Sequence, residues 1–181
     1  MKKLVSILFT FTLSLSLSAQ TFFSETGTAK FSSRVPLHSF TGSSKNLVGL
    51  IKLDEMLLDF YIDLETLKTG NAKRDKDMLV TLNTEEYPFG EFFGKIISDF
   101  DPTNSEEQYV KVSGEFTIHG KTKEVEIDGT LTIINNVLIV KASWVLNLND
   151  YDIKPPKFLI LKVHEDQFIE IETTLKPYQR N

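Results

Sequence analysis

The stretch KEVEIDGTLTIINNVLIVKASWVLNL, residues 123–148, decides the fold of this chain. On both sides of the central Asn135-Asn136 pair, apolar and polar residues alternate with a period of two. This alternation is typical of a β-strand that buries one face and exposes the other. An Asn-Asn pair between two such runs favours a tight hairpin turn, since asparagine tolerates the left-handed backbone conformation. We therefore predict two antiparallel strands, Lys123–Ile134 and Val137–Leu148.

The same alternation recurs along the chain between residues 25 and 175. It predicts seven further strands: Glu25–Arg34, Asn46–Asp54, Met56–Leu64, Phe89–Ser98, Gln108–His119, Phe158–Val163 and Phe168–Leu175. Each predicted strand has an apolar face that must be buried, so many strands in tandem close on themselves or stack in layers. The pattern therefore predicts an all-β container.

The segment between the strands that end at Leu64 and begin at Phe89 breaks the alternation. Asn71 is a good helix N-cap, and Met78 and Leu82 belong to a short apolar stripe at helical spacing. We predict an α-helix over Ala72–Leu82.

The first residues have the composition of a secretory signal peptide. Lys2 and Lys3 give a positive start, an apolar and hydroxyl-rich run extends to Leu17, and Ala19 offers a small residue for cleavage. The run is shorter than the ~20 apolar residues of a transmembrane helix, and serine and threonine dilute it. We expect residues 1–19 to be removed on export and residues 20–181 to form one domain, in the periplasm or outside the cell.

The composition argues against several classes of function. The chain has no cysteine, which removes disulfides, thiol catalysis and cysteine-based metal sites. Its formal net charge of −5 argues against nucleic acid or an anionic membrane surface as the main partner. We expect no nucleic acid partner and no stable insertion into a membrane.

Neither the histidines nor the carboxylates have the spacing of a catalytic or metal site. His38, His119 and His164 are far apart in sequence, and many acidic residues alternate with apolar ones, as on a solvent-facing sheet surface. No nucleophile elbow or phosphate-binding loop is present in the sequence. We predict that the protein is not an enzyme and has no catalytic residue, metal or cofactor. His119 is expected to lie in a turn and to make a local hydrogen bond.

Four small residues share the apolar face of the predicted strands: Gly94, Gly114, Gly129 and Ala142. The interior of an eight-stranded barrel is just wide enough for side chains or for one small ligand, so small inward residues leave space for a ligand. Alternatively, the glycines relieve backbone strain where the sheet bends. The residues alone leave both explanations open.

Several motifs, in order along the chain, resemble those of a known family. They are Phe40-Thr41-Gly42, Arg74-Asp75, Glu86-Tyr87-Pro88, FFGKI at residues 92–96, VSGEFTIHGKTK at residues 112–123 and DYDIKPP at residues 150–156. In these segments the chain is similar to the YceI-like family of exported lipid- or polyisoprenoid-binding proteins. It departs from the better-studied branch at SSRVP, residues 32–36, where a histidine-containing strand end is usual, and after Asp75, where no histidine or aromatic residue follows.

The resemblance implies a lipocalin-like, eight-stranded antiparallel barrel with one short helix near a mouth. It also implies a long apolar ligand in the interior, such as the isoprenoid tail of a quinone. The inward apolar residues and two residues of the helix then become candidate ligand-binding residues. They are Phe60, Ile62, Met78, Leu82, Phe92, Val112, Phe116, Ile127, Leu131, Val140, Ala142, Trp144, Leu161 and Ile171.

Two functions of different classes are compatible with these residues and motifs. The first is a non-enzymatic protein that holds an amphiphilic, isoprenoid-like lipid, such as a quinone or a polyprenol, with no other cofactor. The alternative is a barrel filled by its own side chains, which acts as an interaction or accessory module of the cell envelope and has no lipid ligand. Arg74 and Asp75 belong either to a solvated first turn of the helix or to a lid that the helix forms over the cavity. Tyr87 and Tyr151 either contact a polar head group or are ordinary residues at the rim of the barrel mouth. A homodimer is compatible with either function.

Overall fold

A computed structural model of the protein describes residues 20–35, 38–154, 157–158 and 161–178. Ten β-strands and one α-helix lie in these ranges. The strands are β1 (Thr21–Val35), β2 (His38–Lys52), β3 (Leu57–Asp63), β4 (Phe89–Ile96), β5 (Gln108–Ile118), β6 (Lys121–Ile134), β7 (Val137–Asn147), β8 (Lys157–Phe158), β9 (Leu161–Lys162) and β10 (Asp166–Pro177), and the helix is α1 (Ala72–Leu82). The predicted signal peptide, residues 1–19, lies outside the described residues.

Eight of these strands form a closed barrel in the order β1-β10-β7-β6-β5-β4-β3-β2. Each pair of neighbours is antiparallel. Closure gives each of these strands a hydrogen-bonded neighbour on both sides, and each strand buries one face in the interior. The predicted fold class, an all-β eight-stranded antiparallel barrel with one short helix, is therefore confirmed.

The hairpin and the helix form where the local sequence predicts them. Asn135 and Asn136 have φ angles of 51° and 62°, so both adopt the left-handed conformation of a tight turn between β6 and β7. The side chain of Asn71 caps α1 by accepting a hydrogen bond from the backbone N–H of Arg74 at 3.0 Å.

Two strand predictions were wrong. Of the predicted strand Phe158–Val163, residues 159–160 lie outside the described residues, and the two-residue strands β8 and β9 on either side of them pair with each other and not with the barrel. The reason is that β10 pairs directly with β7 along ten positions, which leaves no free edge for another strand. In addition, β2 begins at His38 instead of Asn46, because serine, threonine and glycine at residues 39, 41–44 obscure the alternation and bulges shift the β1–β2 register.

The antiparallel order separates the strand connections into two groups. The connections after β2, β4 and β6 lie at one end of the barrel, here called the closed end, where Phe22, Leu53 and Phe100 are buried. The connections after β1, β3, β5 and β7 lie at the other end, here called the lid end, which carries α1. Within the described part of the chain, the helices are too short or too polar for a transmembrane span.

Candidate functional site

The barrel encloses a cavity of about 430 Å³ that is lined almost wholly by apolar side chains. This volume falls within the range of about 300–1,000 Å³ that is usual for small-molecule sites. The interior is therefore not filled by the protein's own side chains, as the interaction-module alternative required. Thirteen of the fourteen candidate residues border the cavity: Phe60, Ile62, Met78, Leu82, Phe92, Val112, Phe116, Ile127, Leu131, Val140, Ala142, Trp144 and Ile171. The side chain of Leu161 lies outside the described residues.

The small inward residues have two different roles. Ala142 and Gly129 are cross-strand partners and both line the cavity, but a Cβ atom on Gly129 would lie 2.6 Å from the backbone oxygen of Lys141, so this glycine also allows a close approach of two strands. Gly94 and Gly114 are also partners, but neither lines the cavity. A Cβ atom on Gly94 would lie 3.0 Å from the Cα of Gly114, so these glycines allow a close approach of two backbones. Close approach of the strands is therefore common to both pairs, and only Gly129 and Ala142 also border the cavity.

Helix α1 covers the lid end of the cavity. Met78 and Leu82 line the cavity, together with Arg74, Asp77 and Thr81 from the same helix. No residue of the helix is fully buried. A helix of eleven residues is marginal without tertiary packing, so the contacts of its few inward side chains hold it in place.

Two contacts attach the first turn of α1 to the barrel. The guanidinium carbon of Arg74 lies 4.4 Å from the centre of the Phe40 ring on β2, a cation–π contact. Asp75 accepts hydrogen bonds from the Thr69 hydroxyl at 2.6 Å and from the Thr69 backbone N–H at 2.8 Å. These bonds, the hydroxyl bond first, hold the pKa of the Asp75 carboxyl below its usual value of 3.8. Arg74 and Asp75 are thus parts of the lid, and each makes a contact of its own.

The polar residues that project into the cavity are gathered at the lid end. Arg74, Asp77 and Thr81 come from the helix. Gln167 is the second residue of strand β10, at the end of the barrel that carries the helix. Four more polar residues border the cavity, but their polar groups are partly exposed: Lys30 pairs with Glu170 at 2.9 Å, Lys141 pairs with Glu107 at 3.5 Å, the Thr130 hydroxyl donates to Glu107 at 3.2 Å, and Tyr61 is 41% exposed. The cavity is therefore apolar at depth and polar beneath the lid.

Sequence reasoning missed Gln167. It is 6% exposed, and its Nε2 donates to the backbone carbonyls of His164 at 2.7 Å and Asp166 at 3.2 Å. The predicted strand began one residue later, at Phe168, which left Gln167 out of the inward alternation of β10. Extending that alternation back by one residue, from Ile171 and Ile169 to Gln167, would have found it.

The two tyrosines proposed for a head group do not line the cavity. The Tyr87 hydroxyl donates to Glu86 at 2.8 Å, and this bond raises the Tyr87 pKa. The Tyr151 ring packs edge-on against Phe116, 5.7 Å between centroids, and burial raises its pKa. Both are therefore structural residues of the lid end.

His119 lies in the turn between β5 and β6, with a φ of 55°. Its Nδ1 is 3.0 Å from the backbone carbonyl oxygen of Tyr151, so the expected local hydrogen bond instead joins two distant connections of the lid end. His164 accepts a bond from the Asp166 backbone N–H at 3.1 Å, and the His38 side chain lies outside the described residues. In the described ranges, no group of three or more histidine, aspartate or glutamate residues is placed to hold a metal ion.

Comparison with known proteins identifies the architecture. Residues 12–175 match the sequence model of the YceI-like domain. A polyisoprenoid binding domain from Saccharophagus degradans, implicated in plant cell wall breakdown, is 15% identical with a TM-score of 0.74, over 89% of this chain and 100% of that one. Burkholderia cenocepacia BcnA is 14% identical with a TM-score of 0.67, over 82% and 95% of the two chains. The Campylobacter jejuni YCEI protein is 14% identical with a TM-score of 0.53, over 99% and 100%. At these identities the likeness shows the fold alone, and a search of curated proteins gave no significant match.

Proposed function

Since this chain belongs to the YceI-like family, we propose that its barrel holds one amphiphilic, isoprenoid-like lipid, such as a quinone or a polyprenol. The protein acts as a binding or carrier protein, and it catalyses no reaction. The observation that carries this proposal is the largely apolar cavity of about 430 Å³ inside the barrel, with Arg74, Asp77, Thr81 and Gln167 at its lid end. The Saccharophagus degradans relative, described as a polyisoprenoid binding domain, supports the same class of ligand.

The cavity provides enough apolar contact for useful affinity without a charged partner. Burial of apolar carbon contributes ~0.8 kcal/mol for each methylene, so a tail of about fifteen carbons gives ~12 kcal/mol. Loss of translational and rotational freedom costs at least ~4 kcal/mol, which leaves about 8 kcal/mol and a micromolar Kd. An isoprenoid tail is therefore sufficient by itself to explain binding.

The arrangement of the lining also sets the orientation of the ligand. The tail lies against Leu58, Val110 and Leu131 deep in the barrel, where the described lining is apolar. The polar head lies beneath α1, near Arg74 and Gln167, because burial of a head group among apolar side chains would leave it without hydrogen bonds.

We further propose that residues 1–19 are removed on export and that residues 20–181 act in the periplasm or outside the cell. The basic start, the short apolar run and Ala19 support this location. The mass of the protein recovered from its native host would test the cleavage: a mass that includes residues 1–19 would contradict it.

Native mass spectrometry of the purified protein, followed by organic extraction, tests the bound lipid. We expect a co-purifying long-chain apolar molecule, or uptake of added quinone or polyprenol. Protein that is empty from several expression hosts and that binds neither a quinone nor a polyprenol would refute the proposal.

A further inference from the structure

The outer wall of strands β2, β3 and β4 exposes apolar side chains where a barrel in water is expected to present polar ones. The inner face of each strand is already buried in the barrel, so the alternate residues face outward. Three of these outward residues are aromatic and substantially exposed, Tyr61 at 41%, Phe89 at 42% and Phe93 at 53%. Val48 and Leu50 on β2 are next to them and are half-buried. We call these five residues the outer-wall patch.

The outer-wall patch is continuous across the three strands. The rings of Tyr61 and Phe89 meet edge-on, with 5.8 Å between centroids and 86° between planes. Val48 is the cross-strand partner of Tyr61. Phe93 is a diagonal neighbour of Tyr61, at ~7–8 Å, because Tyr61 pairs with Glu91, two residues before Phe93. A contiguous exposed apolar surface that is bordered by polar residues is typical of an interaction site.

Carboxylates border the outer-wall patch. Phe93 lies between Asp59 on β3 and Glu115 on β5, its two cross-strand partners, and Glu91 faces outward from the same strand as Phe93. Within the described part of the chain, these three carboxylates form no ion pair. Of the described outward side chains on β3 and β4, Lys95 is the single cation. The surface therefore has an excess of negative charge.

We propose that the outer-wall patch binds a partner protein that presents arginine or lysine side chains beside apolar ones. The apolar side chains of such a partner cover the exposed rings, and its cations pair with the three carboxylates. A cation placed over Phe93 gains a cation–π contact as well as the carboxylates of Asp59 and Glu115 on either side of the ring. This surface lies on the outside of the barrel, so its binding does not depend on a lipid in the cavity.

The charges disfavour the two other occupants of an exposed apolar surface. A second copy would bring the same excess of carboxylates to the interface, and the chain already has a formal net charge of −5. A membrane would have to remove water from the carboxylates beside the rings as the rings insert, and anionic lipids would repel those carboxylates. A basic partner meets neither cost.

The test uses three fluorescently labelled peptides of the same length. The first consists of Leu-Ser-Arg-Ser repeats, the second has glutamate in place of arginine, and the third has serine in place of leucine. Alternate side chains of an extended chain share a face, so the first peptide presents leucine and arginine by turns on one face. Its leucines are four residues apart, as are Phe89 and Phe93.

We expect fluorescence anisotropy to show that the purified protein binds the leucine–arginine peptide about tenfold more tightly than either of the other two, since each of those lacks one of the two kinds of contact. Equal binding of both arginine peptides would mean that net charge alone attracts them, and this would overturn the proposal. Failure of the leucine–arginine peptide to bind would overturn it as well.

One pair of variants tests the ring at the centre of the patch. F93S should weaken binding of the leucine–arginine peptide about tenfold. The matched control is V145S, at a 60% exposed position of β7 on the opposite side of the barrel, and it should keep the wild-type Kd. Equal losses in the two variants would contradict the assignment to the outer-wall patch. Both substitutions are at exposed positions, so the fold should be retained.

A second pair tests the carboxylates beside that ring. D59N/E115Q should weaken binding of the same peptide about tenfold, whereas E25Q/E172Q should not. Glu25 and Glu172 are exposed residues of β1 and β10, so the control removes the same number of charges from another part of the barrel surface. An equal effect of the two double variants would show that only the net charge matters and would contradict the proposal.

Two further measurements distinguish the other occupants. We expect analytical ultracentrifugation to show a monomer and phosphatidylcholine vesicles to leave the protein unbound. A wild-type dimer that F93S converts to a monomer would assign the outer-wall patch to a second copy. Binding of vesicles by the wild type and not by F93S would assign it to a membrane. Either of these results would overturn the proposal.

Discussion

Replacing Ala142 by phenylalanine is expected to abolish lipid uptake without destabilising the barrel. Ala142 faces the cavity from β7, between its cross-strand partners Gly129 on β6 and Ile171 on β10. The barrel already accommodates the same arrangement at another pair, where the Phe60 ring lies over its partner Gly49. A ring at position 142 can therefore lie over Gly129 and extend into the cavity.

The expected loss of lipid affinity follows from the number of carbon atoms that the new ring adds to the cavity. The six ring carbons occupy space that the tail needs, and at ~0.8 kcal/mol per carbon the ligand loses ~5 kcal/mol of apolar contact. Each 1.4 kcal/mol is a factor of ten, so the affinity falls by about three orders of magnitude. In the empty protein the same ring buries itself in the cavity and offsets its rotamer entropy of about 1 kcal/mol. We therefore expect the free energy of unfolding to stay the same or to rise slightly.

Lipid binding is measured by Trp144 fluorescence, and stability by urea unfolding of the lipid-free protein. The matched control is V145F, which adds bulk at the next residue of the same strand, where the side chain is 60% exposed. V145F should bind lipid as the wild type does. Unchanged uptake in A142F, together with a loss of stability of ~1–3 kcal/mol, is the signature of overpacking in a filled core and would refute the cavity at this position.

Two further predictions concern the lid. In the lipid-free protein the amides of Ala72–Leu82 should exchange hydrogen faster than those of β5 and β6, because no residue of the helix is fully buried. Their exchange should slow when lipid is added. Equal protection with and without lipid would mean that α1 is not a gate. The Asp75 pKa is lowered in the folded state, so its contribution to lid stability is present above its unfolded value of 3.8 and is lost as the pH falls through the lower folded pKa. Protection of the lid relative to β5 should therefore drop below pH 3.8, and D75N should remove that dependence; a drop of the same size in D75N would assign it to other groups.

The parts of the fold that depend only on residues close together in the sequence could be predicted from it. The Asn135-Asn136 turn and the capped helix Ala72–Leu82 need only local conformational preferences. Alternation in β4–β7 likewise predicted which side chains face inward, because the two faces of a strand differ in burial. The prediction of Phe158–Val163 as a barrel strand was wrong because local pattern cannot show which strands pair.

The polar part of the site could not be predicted because it depends on register. Phe40, on which Arg74 stacks, and Gln167 are brought to the same level of the barrel because both pair with one residue of β1, and more than 120 residues separate them in sequence. Each residue alone is an ordinary strand-end residue. Gln167 differs from its neighbours in being buried, with its Nε2 donating to the backbone oxygens of His164 and Asp166.

The structure also indicates which end of the barrel admits a ligand. Opening the closed end would separate strands whose hydrogen bonds continue around the whole barrel and would expose buried side chains such as Phe22 and Ile51. Opening the lid end requires only that α1 give up partly buried side chains, the stacking of Arg74 on Phe40 and the bonds between Asp75 and Thr69. Contacts of this kind are each worth ~0.5–1.5 kcal/mol, far less than global unfolding. We therefore expect a lipid that binds in the barrel to enter beneath the helix and not through the closed end.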